Sequence, residues 1–393
     1  MFATVDIVKD KIGQATRLLD ELNLDCWIIF VRETDMMADP TLPMVVGHSA
    51  TWQSFFVYTR SGEAIALVGN FDAEEYSRYG RFTRVMPYVQ GVGEDFCKLI
   101  EELKPKSIAV NYSQDDCAAD GLTHGMYLQM VDYLGGTPYA DRLVSSEQLV
   151  SKLRSRKLPS ELEILKRAAV LADRIWLRVA ERIQLGMSEK EVAGMLDAEI
   201  EKEGYTTSFA TIANAGVKTP ASHATPTDAK LSRGDLLHVD FGIRVDGYCS
   251  DIQRLLYFKH ANESSAPETL LEAFNLVRDI ITETGKIARP GVKGYEVDSR
   301  AREMLVENGF PEYQHALGHQ LGRAVHDGGA IIGPRWERYG KTPEIPLEEN
   351  IATTLELEID LPGIGCVGLE EDAQITNDGV KFLGPRQMEL IVK

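Results

Sequence analysis

The stretch Leu236–Phe258, LLHVDFGIRVDGYCSDIQRLLYF, reads as two apolar, β-prone runs joined by an Asp246-Gly247 turn. Asp240 and Asp251 sit inside those runs, where an unpaired buried charge is strongly unfavourable. If Asp246 and Gly247 form the loop, Val245 pairs with Tyr248 and the numbers of facing residues sum to 493. Asp240 then faces Gln253, and Asp251 faces Gly242. Residues two apart on a strand share a face. The two aspartates therefore point the same way as diagonal neighbours, roughly 7–8 Å apart at the backbone. Their carboxylates can converge on ions about 3.5–4 Å apart. A one-residue slip would send them to opposite faces.

The pattern recurs near the end of the chain. ATTLELEIDLPGIGCVGLEEDAQIT (352–376) has strand-like flanks around Pro362-Gly363 and carries Glu356, Glu358, Glu370 and Glu371. Between the two hairpins lies HALGHQLGRAVHDGG (315–329), with His315, His319 and His326. Its glycines disfavour a regular helix and predict loop and short strand. Alone, an aspartate in a strand is usually hydrogen-bonded, and a histidine is more often a satisfied core residue than a ligand. Together, four carboxylates and one histidine from two acidic strand pairs suit two divalent cations. Oxygen-rich ligation with one imidazole favours Mn²⁺, then Co²⁺ or Zn²⁺.

A repeat frames these hairpins. IQLGMSEKEVAGMLDAEIEKEGY (183–205) lies on ARPGVKGYEVDSRAREMLVENGF (288–310) with a constant offset of 105. Gly186 matches Gly291, Glu191 matches Glu296 and Gly204 matches Gly309. A duplicated α+β half-domain follows, with a site between the halves. Ser188 and Glu191 form a capping box for one helix, and Ser160 with Glu163 forms another. The basic cluster Lys152–Lys157 reads as a solvated linker.

Upstream, IGQATRLLDELNLD has helical spacing, while CWIIFV, SFFVYT, AIALVG and SIAVNY are short buried-strand candidates. We divide the chain into a smaller α/β domain (1–155) and an α+β domain (156–393). Net charge is −18, which disfavours nucleic acid as a partner. No run approaches the ~20 apolar residues of a membrane span, and the charged N-terminal stretch does not read as a secretory signal. The five cysteines are scattered with no CxxC pair, which implies reduced thiols in a cytoplasmic protein.

SHATPTDAKLSRGDLLHVDFGIRVDGYCSDIQR (222–254) resembles the proline-specific branch of the pita-bread metallopeptidases, which includes prolidase and aminopeptidase P. It follows H-A-x-P-x-D, then G-D, D-F-G and G-Y-x-S-D-I-x-R. The match covers about residues 155–385, and the preceding residues are similar to the family's creatinase-type N-terminal domain. The resemblance implies metal ligation by Asp240, Asp251, His319, Glu356 and Glu370, with Asp251 and Glu370 bridging. Glu371 is a weaker alternative to Glu370. It gives His223, His315 and His326 a role in holding substrate and stabilising the tetrahedral intermediate. It also implies a homodimer. Four positions depart from the family pattern. Leu357 replaces a proline, Gly368 an arginine, Gln320 a glycine and Asp327 a glutamate.

The activity so implied is metal-dependent hydrolysis of Xaa-Pro bonds in short proline-containing peptides. Glu356 takes the proton of the attacking water and passes it to the leaving nitrogen, while His326 and His223 donate to the developing charge. A dipeptidase is favoured over an aminopeptidase. A metal-free hydrolase, a methionine aminopeptidase, which the H-A-x-P-x-D stretch and the large N-terminal domain disfavour, and a non-catalytic scaffold with the same fold are the other readings. Trp336, Arg338 and Tyr339, in the inserted segment 328–346, are placed either as a cap on the cleft or as an exposed loop.

Overall fold

CWIIFV, SFFVYT and AIALVG show no polar alternation, and the strands they form are buried throughout. They are β1 (Cys26–Val31), β2 (Ser54–Thr59) and β3 (Ala64–Gly69) in a computed structural model that describes residues 6–218 and 224–393. With β4 (Arg84–Tyr88), β5 (Ile108–Val110) and β6 (Leu143–Ser145) they make a mixed sheet of order β4-β3-β2-β1-β5-β6. Helices α1 (Ile7–Glu21), α2 (Leu42–Val45), α3 (Ala73–Tyr79), α4 (Gly93–Leu103), α5 (His124–Tyr133) and α6 (Glu147–Ser155) accompany it. Trp27 and Ile29 enter one core, and Ile28 and Phe30 the other. Both faces of β1 are thus covered, which is why the run is continuously apolar. The chain divides into two compact units, Met1–Arg154 and Ser155–Lys393.

The second unit is built twice. Helix α7 (Pro159–Arg182) precedes α8 (Glu189–Lys202), and α9 (Glu268–Ile287) precedes α10 (Gly294–Glu307). Both ends of α10 lie 105 residues after those of α8. Gly186 and Gly291 have φ of 86° and 89°, and Gly204 and Gly309 have 85° and 82°. These left-handed values suit glycine. The turn before each helix closes in the same way. Gly186 N donates to Leu231 O and Leu231 N to Met187 O, as Gly291 N does to Leu347 O and Leu347 N to Val292 O, all at 2.8 Å.

Strands β7 (Thr206–Thr207), β8 (Ile212–Ala215), β9 (Leu236–Phe241), β10 (Ile243–Val245), β11 (Tyr248–Cys249), β12 (Ile252–Tyr257), β13 (Ala352–Leu361) and β14 (Gly365–Thr376) follow. The main sheet runs β13-β14-β12-β9-β8, extended by β15 (Gly379–Phe382) on β14 and β16 (Ile391–Val392) on β12. Helices α7 and α8 share a core with β9 and β12, while α9 and α10 share one with β13 and β14. No helix among the described residues is long and apolar enough to cross a membrane.

Two sequence expectations change. Helix α7 is capped two residues earlier than Ser160: Pro159 takes the first helical position, and the Glu161 carboxylate accepts from Leu158 N at 2.7 Å. Proline's fixed φ and missing N–H suit that position. The Ser188–Glu191 box forms as expected. The basic cluster is not a solvated linker. Arg154 is buried and donates to Pro40 O, Arg156 pairs with Glu348, and Lys157 is buried against Asp327 at 2.9 Å.

Candidate metal centre

The register read from the Asp-Gly turn holds on both sides of it. Val245 pairs with Tyr248, Phe241 with Ile252 and Asp240 with Gln253. Between them the hairpin leaves one sheet for another, because β10 and β11 join β7 in a separate three-stranded sheet. Asp251 lies at that break, so its expected pairing with Gly242 is not a ladder pair. A Cβ at Gly242 would lie 1.8 Å from Ser250 O, which explains the glycine. Asp251 N instead donates to the Asp372 carboxylate at 3.2 Å.

Cross-strand pairing carries the aspartates to the second acidic hairpin. Asp240 faces Gln253, Gln253 faces Glu370, and Glu370 faces Glu356. Facing residues share a sheet face, so three carboxylates and one amide form a row across β9, β12, β14 and β13. Asp240 lies nine residues after Leu231 and Glu356 nine after Leu347, so the two acids are equivalents in the duplicated halves.

His319 arrives from segment 317–321, which lies along β13. Leu321 N donates to Ala352 O, Thr354 N to His319 O and Glu356 N to Leu317 O. Gly318 permits this approach, since a Cβ there would lie 2.1 Å from Thr354 O. His319 Nε2 is 3.6 Å from Asp251, 3.7 Å from Glu356 and 3.8 Å from Glu370. Ligand atoms of Asp251, His319 and Glu370 all lie within 4.8 Å of one another.

The charge at this point is uncompensated. Among the described residues, no lysine or arginine pairs with Asp240, Asp251, Glu356 or Glu370. Buried oxygens Asp240 Oδ1, Asp251 Oδ1 and Glu370 Oε1 have no hydrogen-bond partner among the described residues. Burial, and secondarily the Glu358 charge, raises Asp240 to about 7, against a hydrogen bond with Asp251. Burial, then Asp240 and Glu358, raises Glu356 to about 8. Burial and the neighbouring carboxylates push Asp251 and Glu370 well above the ordinary range. Four acids, three of them with an orphaned oxygen, and one imidazole fit divalent cations, which would supply the counter-charge that no lysine or arginine among the described residues provides.

The other expected residues are placed unequally. His326 stands edge-on to His319, ring centroids 4.3 Å apart. Its loop is anchored by Asp327, which accepts from Ala324 N at 3.1 Å and pairs with Lys157. His315 is exposed against Tyr313, and Arg302 donates to its carbonyl. His223 lies outside the described residues. Glu371 turns to Arg254 at 3.0 Å and accepts from Gln387 N, away from the row. Leu357 is core. Gln320 donates to Ser155 Oγ and Ala330 O, bracing the start of the His326 loop. The guanidinium groups of Arg302 and Arg338 each lie 4.8 Å from the Trp336 ring, and both arginines hold carbonyls of the 313–315 segment.

Sequence reasoning missed Gln253, His238 and Tyr313. The first two were signalled by the strand period: Gln253 faces Asp240, and His238 lies two residues before it. Tyr313 had no periodic signal, because it comes from irregular chain. Burial, then Glu356, Glu358 and Glu370, pushes its phenol well above its ordinary value.

Residues 163–377 match metallopeptidase family M24. The chain belongs to that family. The M24 assignment agrees with the duplicated halves, which are the pita-bread fold. Over 98% of its length the chain is 25% identical to an Xaa-Pro dipeptidase of Pyrococcus horikoshii, whose whole length is covered. The structure of an Xaa-Pro dipeptidase from Bacillus anthracis superposes with a TM-score of 0.79 at 25% identity, covering 98% of this chain and 100% of that one. An X-Pro aminopeptidase from Thermotoga maritima shares the fold, with a TM-score of 0.76 at 24% identity and coverage of 97% and 99%.

Proposed function

We propose that this M24 metallopeptidase is a two-metal exopeptidase that hydrolyses Xaa-Pro bonds in short peptides, acting as a dipeptidase. The observation that carries the reading is the row of uncompensated carboxylates, buried at Asp240 and Glu370 and half-buried at Glu356, closed by His319. Asp240, Asp251, His319, Glu356 and Glu370 would hold the ions. Divalent cations there would lower the pKa of a water and polarise the scissile carbonyl.

The chain's own groups handle the proton and the substrate. Glu356 is the proton acceptor. Its side chain is 19% exposed, against 7% for Asp251 and 2% for Glu370, so it stands at the open edge of the cluster. Gln253 holds Glu356 Oε2, which leaves Oε1 to accept. His326, exposed beside His319, donates to the charge that develops on the substrate oxygen. His223 and His315 complete the substrate contacts. The leaving proline nitrogen has no N–H, so the site recognises it by packing. Support for the substrate class comes from the similarity to the two Xaa-Pro dipeptidases.

The test is hydrolysis of Ala-Pro against Ala-Pro-Ala by metal-stripped protein with Mn²⁺, Co²⁺ or Zn²⁺ added back. We expect Ala-Pro to be cleaved, best with Mn²⁺. Cleavage of the tripeptide alone makes the protein an aminopeptidase instead. The reading includes a cytoplasmic homodimer. The scattered cysteines with no CxxC pair support the compartment, and the family resemblance supports the dimer. Light scattering in solution measures the assembly.

A further inference from the structure

Gly368 stands where the related pattern carries arginine, two residues before Glu370 and on the same strand face. That space is already taken. A Cβ at 368 would lie 2.6 Å from Gln253 Oε1 and 2.9 Å from His238 Nε2. Both side chains are buried, at 7% and 2% exposure. The Gln253 amide nitrogen lies 3.2 Å from Glu356 Oε2 and 3.1 Å from Glu370 Oε2. Its amide oxygen lies 3.1 Å from His238 Nε2.

An amide has two N–H donors and one acceptor oxygen. In this orientation both hydrogens meet carboxylates. The flipped amide would set its oxygen against two carboxylate oxygens. A His238 ring with its proton on Nε2 donates to the amide oxygen and thereby selects the productive orientation.

We propose that the His238–Gln253 pair is a positioning device that takes the place of the arginine, orienting the carboxylates of proton-accepting Glu356 and of Glu370. The inference rests on the metal-site reading above. The replacement is neutral where the guanidinium is charged. Both carboxylates therefore keep their full charge for the cations, and their geometry depends on one amide.

The test compares Gln253→Leu, His238→Ala and His238→Gln with the wild type. Mn²⁺ affinity is measured by calorimetry on metal-stripped protein, kcat and KM with Ala-Pro, and folding by circular dichroism. Gln253→Leu keeps volume but removes the donor. It is expected to weaken Mn²⁺ binding about 10–100-fold, as loss of a ligand-orienting partner does, and to lower kcat more than it raises KM. His238→Ala should shift both in the same direction by less. His238→Gln, whose amide can donate to the Gln253 oxygen, should recover most of that loss. A folded Gln253→Leu with wild-type affinity overturns the proposal. If that variant does not fold, His238→Gln performing no better than His238→Ala overturns it. The wild type in the same titration separates the two readings. Failure to take up two Mn²⁺ refutes the metal centre itself. Uptake without cleavage of Ala-Pro refutes only the substrate, and the affinity comparison still decides the pair.

Discussion

Two groups of buried acids lie side by side in the second unit and are treated differently. Glu371 has Arg254 at 3.0 Å and Arg386 at 3.8 Å, Asp298 has Arg302 at 2.6 Å, and Asp327 has Lys157 at 2.9 Å. Asp240, Asp251, Glu356 and Glu370 have no arginine or lysine among the described residues; beside one another they have His319 and, for the two glutamates, the neutral Gln253 amide. Glu370 and Glu371 are consecutive, so the strand pleat alone sends one to each group. Burial raises both, but arginines pull Glu371 back, whereas further carboxylates push Glu370 higher. A buried acid with a protein cation braces the fold. A buried acid without one is a place for an external cation.

The largest effect should come from breaking the unpaired group. Asp251→Asn and His319→Ala are expected to abolish both metal uptake and hydrolysis, read by elemental analysis and an Ala-Pro assay. In metal-free protein Asp251→Asn should raise the melting temperature, because it removes like-charge repulsion. The paired group should respond in the opposite sense. Arg254→Met leaves buried Glu371 with only the more distant Arg386, at 3.8 Å, and should cost about 3 kcal/mol, measured by urea denaturation. A higher melting temperature for Arg254→Met in metal-free protein would erase the distinction.

A pH series sharpens the same contrast. The values for Asp240 and Glu356 are raised to about 7 and about 8, from ordinary carboxylate values of about 4. Raised acids bind protons more tightly in the folded chain than in the unfolded one. In the metal-free protein that contribution is complete below pH ~4 and is lost as pH rises through 7 to 8. The melting temperature of stripped protein should therefore fall over that window, and saturating Mn²⁺ should abolish the decline. The smallest effect concerns Arg302, which is capped by Trp336 at 4.8 Å. Trp336→Ala should cost about 1 kcal/mol of stability by denaturant titration, since Asp298 still pairs with Arg302.

Much of this was legible in the chain. The Asp246-Gly247 turn gave the register that sets Asp240 opposite Gln253, and the two-residue period holds the signal for Gln253 and His238, though the sequence reading gives neither a role. The repeat at offset 105 gave the halves, because each glycine with positive φ marks a helix boundary that no other residue type fills as well. Other features were not legible. The Ser160 box looked sound locally, yet Pro159 set the start of α7 two residues earlier. The basic cluster looked solvated because Asp327 lies 170 residues beyond Lys157 in the chain. Strands β4 and β6 were missed, since RVMPY and LVS are short and only partly buried.

The sequence by itself determined the local and periodic facts: which residues alternate on a strand, where turns fall, and that two acidic hairpins belong to duplicated halves. These follow from backbone sterics and the two-residue period, which act over a few positions. Tertiary structure decided which acids share a neighbourhood and which meet a cation. Asp240, Gln253, Glu370 and Glu356 become one row only when β12 pairs with both β9 and β14. Glu371 becomes a structural acid only because Arg254 reaches it from β12. The β12–β14 pairing and the Arg254–Glu371 contact join residues more than a hundred positions apart, and the electrostatics follow from distance in space.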